Sequence, residues 1–482
     1  MSHPAVTRRV APPDPRRWPA LMLLAVADFV VILDATIVNV ALPSIGRDLH
    51  ASTASLAWVV SAYVLAFGGL LLFGGRLADL FGRRRLFVGG LTLFGLASLA
   101  GGFAGSIEQL IAARVVQGVG AAALAPAARS MVTTLFPQGP ERAKALGVWA
   151  AVAGSGSVVG LVLGGVLTSE LSWSWVLWVN VPIVLATAAL APRLIDESRA
   201  DAEDRSVDVL GAVLVTSGLV AGLYALVQAG SAGWASAQTV GLLALAAVLL
   251  GVFAWVETRV SSPLVSVRIL RGGHVRGANL AMTLMAGAMV GLFFILVLYT
   301  QQLLGWSALK SGLSQLPMGL VLMVVAGMAG PLTERVGSKA VLVAGLATFT
   351  AGLAWYAQVP VHAEYLTDLL GPSLVVAVGL GLAFVALTVS SVAGVDDDHL
   401  GLAGGLINTT QQLGGAIGLA VVTAVVERHH PAAGPVAAHG AFAAGLLVSA
   451  AIAAAATVLA ALVLPAHRTP APLAVSAATA TA

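Results

Sequence analysis

Gly75-Arg76-Leu77-Ala78-Asp79-Leu80-Phe81-Gly82-Arg83-Arg84-Arg85 is a short, strongly basic stretch with two glycines, set between two long apolar runs. A cluster of arginines held against apolar segments marks a turn on the cytoplasmic side of a membrane. A degenerate copy, Gly330-Pro331-Leu332-Thr333-Glu334-Arg335-Val336-Gly337-Ser338-Lys339, returns 330 − 75 = 255 residues later, again between apolar runs. Glycine, leucine, an acid, glycine and a base recur at matching offsets, so the chain reads as two related halves.

In the first copy, Gly75 and Gly82 let backbones approach closely, Asp79 stands where it can cap a following helix or pair with a base, and Arg83 and Arg84 hold the loop at the membrane surface. The 482 residues are 58% hydrophobic and 10% charged, with a mean hydropathy of +0.94. Those values describe an integral membrane protein. Its net charge of +3 lies in short loops between apolar spans, which is topology and not a nucleic-acid patch. Zero cysteines excludes disulfides, thiolate metal sites and a cysteine nucleophile. No HExxH, Gly-x-Ser-x-Gly or phosphate-binding Gly-Lys-Ser/Thr pattern occurs, so neither an enzyme nor an ATP-driven pump is expected.

A bilayer core about 30 Å thick needs roughly 20 apolar residues per helix. The sequence then divides into about fourteen spans, near 20–42, 56–75, 86–104, 107–128, 143–167, 175–191, 208–229, 237–257, 277–301, 312–331, 340–358, 369–392, 402–425 and 441–464. Both termini are expected in the cytoplasm: with that threading only Arg47, Lys310 and Arg428 fall outside, and Arg114 falls within a span. Equating the two loops gives an all-α architecture of two six-helix halves plus two inserted helices. A cytoplasmic tail covers 1–19, the first half 20–192, a linker 193–207, the inserted pair 208–257, a cytoplasmic loop 258–276, the second half 277–464 and a tail expected to be disordered 465–482. The linker's charged run, Asp196 to Arg205, reads as a solvated connection without chemistry.

The first span carries two acids, Asp28 and Asp34, each costing about 2.5–3.5 kcal/mol near a bilayer centre on insertion scales. Six residues separate them by about 120° around a helix and about 9 Å along it, so they are separate stations and not a shared-proton dyad. Arg114 is the one base deep in a span. Counted from the outer ends of their helices, Arg114 sits roughly 10 Å and Asp34 roughly 12 Å deep. Opposite charges at matching depth suggest a pair, either a static salt bridge or a proton-controlled switch.

These motifs carry a resemblance. The loop at Gly75 resembles the signature loop between the second and third helices of the major facilitator superfamily, Gly-x-Leu-Ala-Asp-x-x-Gly-Arg-Arg. Arg114-Val115-Val116-Gln117-Gly118-Val119-Gly120 resembles its fourth-helix motif, which implies proton coupling. Leu33-Asp34-Ala35-Thr36-Ile37-Val38-Asn39-Val40-Ala41-Leu42-Pro43 resembles the first helix of the fourteen-span drug:proton antiporter branch, where the matching acid implies coupling or cation recognition. Asp28 departs from that pattern, and its role stands open between a second proton site, a contact for a cationic substrate and a neutral buried acid.

Gly156, Gly160, Gly164 and Gly165 resemble the antiporter motif of exporting members, with Leu161 where that motif has proline. Glycine packing alone explains the same residues. Asn39, Gln117, Asn408, Gln411 and Gln412 are candidates to line a pathway, or to bridge helices. Together the resemblance implies proton-coupled efflux of hydrophobic or cationic drugs across the cytoplasmic membrane by alternating access, or transport of one specific metabolite on the same fold. The expected partners are a small hydrophobic substrate, protons and lipid, with no nucleic acid; the working unit is a monomer. No cofactor or metal is expected, the proton gradient being the energy source.

Overall fold

The computed structural model describes residues 15–136, 140–198, 208–233, 235–260, 273–393, 395, 400–428 and 435–465, and all regular structure among them is helical. The first-half helices are α1 (Arg17–Asp48), α2 (Thr53–Phe81), α3 (Arg83–Gly102), α4 (Ile107–Leu135), α5 (Pro140–Glu170), the single turn α6 (Trp175–Trp178) and α7 (Asn180–Leu194). Then come α8 (Val209–Ala232) and α9 (Ala237–Glu257). The remainder is α10 (Gly273–Leu298), α11 (Ala308–Ser314), α12 (Leu316–Val336), α13 (Ser338–Tyr356), α14 (Leu370–Val392), α15 (Leu400–Arg428) and α16 (Pro435–Val463). Counting α6 with α7 and α11 with α12 as single passes gives fourteen among the described residues, and twelve helices meet length and hydropathy requirements for crossing a bilayer. Most helices outrun the apolar windows; α1, for example, extends to Asp48 where the apolar run stops near residue 42. The expected disorder of the C-terminal tail concerns residues that, past Pro465, lie outside the described ones.

The repeat is a repeat of packing. In the first half α2 packs on α4, α3 on α4, α1 on α5 and α3 on α7; in the second, α12 packs on α14, α13 on α14, α10 on α15 and α13 on α16. The paired loops share their geometry too. Gly82 joins α2 to α3 with φ +109°, and Gly337 joins α12 to α13 with φ +90°; their separation, 337 − 82, is again 255 residues. A one-residue connection in this left-handed region suits glycine because it has no Cβ to clash.

A segment read as inert holds the first of these loops. Glu197, just beyond α7, accepts hydrogen bonds from the backbone N–H groups of Arg84 (3.1 Å) and Arg85 (3.2 Å), while Ser198 accepts from the Arg83 N–H (3.0 Å). Arg84 also donates to the Ile195 carbonyl at 3.1 Å. The first N–H groups of a helix have no partner within it, and a carboxylate there also opposes the helix dipole. Glu197 therefore caps α3 from over a hundred residues away. The expectation of a linker without chemistry needs correction at this residue; residues 199–207 lie outside the described ones. Asp79, the other capping candidate, belongs to α2, and its side chain lies outside the described residues as well. Losing such a cap costs about 0.5–2 kcal/mol. Glu197→Ala is accordingly expected to leave transport-competent protein whose Arg83 to Arg85 loop is cut faster by trypsin in inverted vesicles; an unchanged cleavage rate would count against the clasp.

The inserted pair does not stand apart. α8 packs on α9 but also on both α2 and α15, one from each half. Thr216 donates to the Gly69 carbonyl at 2.9 Å, and Leu219 packs where Leu65 meets Ala416 and Ala420. Toward the basic loops, Ala212 joins Phe73, Phe253 and Leu406. α8 thus lies along a seam between the halves.

At the end opposite the basic loops, the halves close on each other. Leu309 N–H donates to Ser169 Oγ (3.2 Å), Gln301 Nε2 donates to the Val40 carbonyl (2.8 Å), and Gly312 sits against the Leu161 carbonyl. Nearer mid-membrane Val158 meets Gly319. Past that contact, toward the basic end, Leu320, Met323, Val324 and Met328 of α12 are exposed, Met328 to 66%.

Candidate functional site

Asp34 and Arg114 meet in the interior of the first half, 0% and 1% exposed. Arg114 Nη1 donates to Asp34 Oδ2 in a short ion pair. Asp34 Oδ1 accepts from Asn180 Nδ2 at 2.8 Å and from Gln117 Nε2 at 3.1 Å. Gln117 closes a local loop, since its Oε1 also accepts from Arg114 Nη1 at 3.0 Å. Ser98 Oγ takes the amides of Gln117 (2.6 Å) and Asn180 (3.4 Å). Arg114 Nε donates to the Val59 carbonyl at 3.1 Å. Groups from α2, α3, α4 and α7 therefore join one hydrogen-bonded network around a carboxylate of α1.

Local sequence explains each placement. Arg114 and Gln117 are three apart on α4 and so share a face. α7 restarts at Asn180 with Pro182 in its first turn, a place where proline's missing N–H costs nothing. That restart turns Asn180 inward. Gly118 faces α2: a Cβ there would come within 2.8 Å of Ala66 Cβ and 3.0 Å of the Phe67 nitrogen, so glycine lets α4 and α2 approach closely. α1 is seated by the glycine ridge of α5. A Cβ on Gly156 would stand 2.7 Å from the Phe29 carbonyl oxygen, one on Gly160 3.1 Å from that of Leu33, and one on Gly164 3.0 Å from Ile37. Gly165 faces the other way, onto Leu309 of α11, so the same helix packs on both halves.

Electrostatically the site is a closed neutral cluster. Burying two ions costs several kcal/mol each, repaid only with good geometry and further hydrogen bonds, which the amides and the Val59 carbonyl supply. A proton arriving at Asp34 removes the attraction that holds the pair and leaves Arg114 charged in the interior. The electrostatic hold of this pair therefore depends on Asp34 staying ionised.

The other candidates fall elsewhere. Asp28 is half-buried, and no described residue gives it a hydrogen bond or an ion pair; the cation whose charge acts on it is Arg129, which stands over the Trp149 ring at 5.4 Å. Asn39 is half-buried, its Nδ2 bonded to the Ala35 carbonyl one turn back at 2.7 Å. Asn408, Gln411 and Gln412 are half-buried on α15, where Gln412 packs against Gly68 of α2. Arg83 reaches Thr134 Oγ1 on α4 at 3.0 Å. Met282, Met285 and Met318 are buried in packing, while Met323 is exposed. Ser98, Asn180, Tyr63 and the Val59 carbonyl were not anticipated. Asn180 had a legible signal, a polar side chain at the start of a span, two residues before proline; a serine on an apolar helix and a carbonyl have none.

The Major Facilitator Superfamily profile matches residues 24–419. The chain is 42% identical over 416 residues to the puromycin resistance protein of Streptomyces alboniger, covering 86% of this chain and 82% of the relative. It is 44% identical over 409 residues to the cephamycin export protein of Amycolatopsis lactamdurans, covering 84% of each. Among solved structures it is similar to a bacterial homologue of the human lysosomal transporter Spinster in an inward-facing and unoccupied conformation, with TM-score 0.65, 16% identity, and 95% of this chain and 100% of that chain covered. At that identity the likeness concerns the fold.

Proposed function

The chain belongs to the Major Facilitator Superfamily, and from that premise we propose that it is a proton-coupled exporter of hydrophobic or cationic antibiotics of the fourteen-helix drug:proton antiporter branch. The observation that carries the coupling is the buried Asp34–Arg114 pair with its amide collar. Export of antibiotics is supported by the relatives whose names give puromycin resistance and cephamycin export.

In this reading the protein is a multi-pass component of the cytoplasmic membrane with both termini inside, divided into two halves by an inserted pair, and it works as a monomer. A proton from outside neutralises Asp34 and loosens Arg114; substrate entering from the cytoplasm accompanies its release, and the halves rock about the site. The loop at Gly75, Asp79, Gly82, Arg83 and Arg84 steadies the cytoplasmic side, with Glu197 as its clasp. The glycines of α5 act as the surface on which α1 and α11 move. Asp28 is a second proton station toward the cytoplasm. Gln117 belongs to the coupling collar, while Asn39, Asn408, Gln411 and Gln412 face the pathway.

The test is proton movement in inverted, energised vesicles on adding a panel that includes puromycin, a cephamycin and lipophilic cations. Substrate-evoked proton release is expected for several unrelated compounds. Folded protein that responds to none of them would remove the drug-export reading.

A further inference from the structure

Arg114 has a second, unassigned neighbour. Its guanidinium carbon lies 4.2 Å from the centre of the Tyr63 ring, inside the range in which a cation is attracted by an aromatic face. Tyr63 is 1% exposed, and it stands one turn along α2 from Val59, whose carbonyl already holds Arg114 Nε. The ring and that carbonyl therefore form one cradle on one face of α2. The close approach at Gly118 brings α4 near enough for the guanidinium to lie on the ring. The hydroxyl takes no part in the hold: Tyr63 Oη is buried and has no hydrogen-bond partner among the described residues. An unsatisfied buried hydroxyl is unfavourable, so packing of the hydroxyl does not explain this residue; the ring's contact with Arg114 does.

We propose that Tyr63 is the positioning residue that holds Arg114 in place while Asp34 carries a proton, and so sets the pH at which the coupling site loads. This rests on the reading of Asp34 and Arg114 as the coupling pair. In the paired state the carboxylate, negative and beside the same ring, offsets part of the attraction between guanidinium and ring. Once Asp34 is neutral, Arg114 is a lone buried cation, and the ring face, the Val59 carbonyl and Gln117 Oε1 are what remain to stabilise it. Taking away the ring makes that state more costly. The proton must then be driven on by a lower pH.

The charged and titratable groups around Tyr63 are Asp34 and Asp28 on α1 and Arg114 on α4, whose charges all act on it, with Arg129 nearer the basic end of α4. Asn180, Gln117 and Ser98 are neutral and do not titrate in the range of interest. Of the two acids, Asp34 is the one bonded to the cation that the ring holds.

The experiment follows the protonated-carboxyl infrared band of the full-length protein in lipid across a pH series, with the Asp34 band identified by its loss in Asp34→Asn. Substrate-evoked proton release is measured over the same series. Tyr63→Phe, which keeps the ring, is expected to keep the wild-type midpoint in both measurements. Tyr63→Leu is expected to move both midpoints about half to one pH unit lower, the size of the part of one buried cation–π contact that the state with neutral Asp34 gains over the paired state. An unchanged Asp34 midpoint in folded Tyr63→Leu would overturn the role of Tyr63 and leave the coupling pair standing. Equal shifts in Tyr63→Phe and Tyr63→Leu would move the effect to the hydroxyl and likewise overturn it. An Asp34 band that never titrates in the wild type would instead bring down the coupling reading, and this proposal with it.

Discussion

Asp34→Asn is expected to reduce substrate-evoked proton release to the level of vesicles lacking the protein, while folded protein and substrate binding persist. The amide has nearly the shape of the carboxylic acid and no charge to lose, so it fixes the site in its proton-loaded state. It also keeps the collar bonded. Its oxygen can accept from Arg114, and the amide of Asn180, which now donates to Asp34 and whose Oδ1 has no hydrogen-bond partner among the described residues, can turn over to present that oxygen to the new NH₂ group, while Gln117 keeps its Oε1 on Arg114. Downhill exchange of substrate should survive because it needs no proton. Asp28→Asn is the comparison: it removes the second station but not the pair, with which the half-buried acid shares no hydrogen bond, so proton release through Asp34 is expected to be reduced at most in part. Loss of proton release in Asp28→Asn with full retention in Asp34→Asn would transfer the coupling site to Asp28.

Replacing Arg114 should have the larger effect on stability. Arg114→Ala strands an ionised Asp34 at 0% exposure, and removing one partner of a buried pair costs about 3–5 kcal/mol. The remaining donors, Gln117 and Asn180, are neutral amides and do not replace a full positive charge. The double variant Asp34→Asn/Arg114→Ala removes both charges, so it is expected to unfold at a higher temperature in detergent than Arg114→Ala alone, even though neither couples transport to protons. A double variant as unstable as the single one would show that the loss comes from the volume of the arginine or its contact with Tyr63, not from an unpaired carboxylate. This ordering compares unfolding temperatures alone and needs no equilibrium free energy, so it holds whether or not unfolding is reversible.

How much of this could be read beforehand differs from residue to residue. Depth along a helix follows from counting at 1.5 Å per residue, so a base and an acid at matching depth could be seen to face one another before either was placed. The two glycine loops could be equated because a one-residue turn at positive φ needs glycine wherever it recurs. Asn180 was harder, because the break between α6 and α7 that turns it inward lies inside what reads as one apolar span. Glu197 was harder still. A carboxylate in a charged run has the composition of a solvated linker, and the N–H groups it caps are more than a hundred residues earlier in the chain.

The amino-acid sequence by itself determined that this is a bundle of membrane-spanning helices, twice repeated, with one cation and one acid at equal depth in its first half. It could do so because lipid tolerates few polar groups and forces each backbone group to be satisfied within its own helix, so that composition and spacing carry the signal. Only the tertiary structure decided which partners close around Asp34, that Tyr63 lies beneath Arg114, and that the inserted pair runs along a seam between the halves. α8 is apolar around most of its surface, so hydrophobicity cannot tell which neighbour it meets. That choice is made by close packing and by single hydrogen bonds, such as the one from Thr216 to the Gly69 carbonyl, between residues that are distant in sequence.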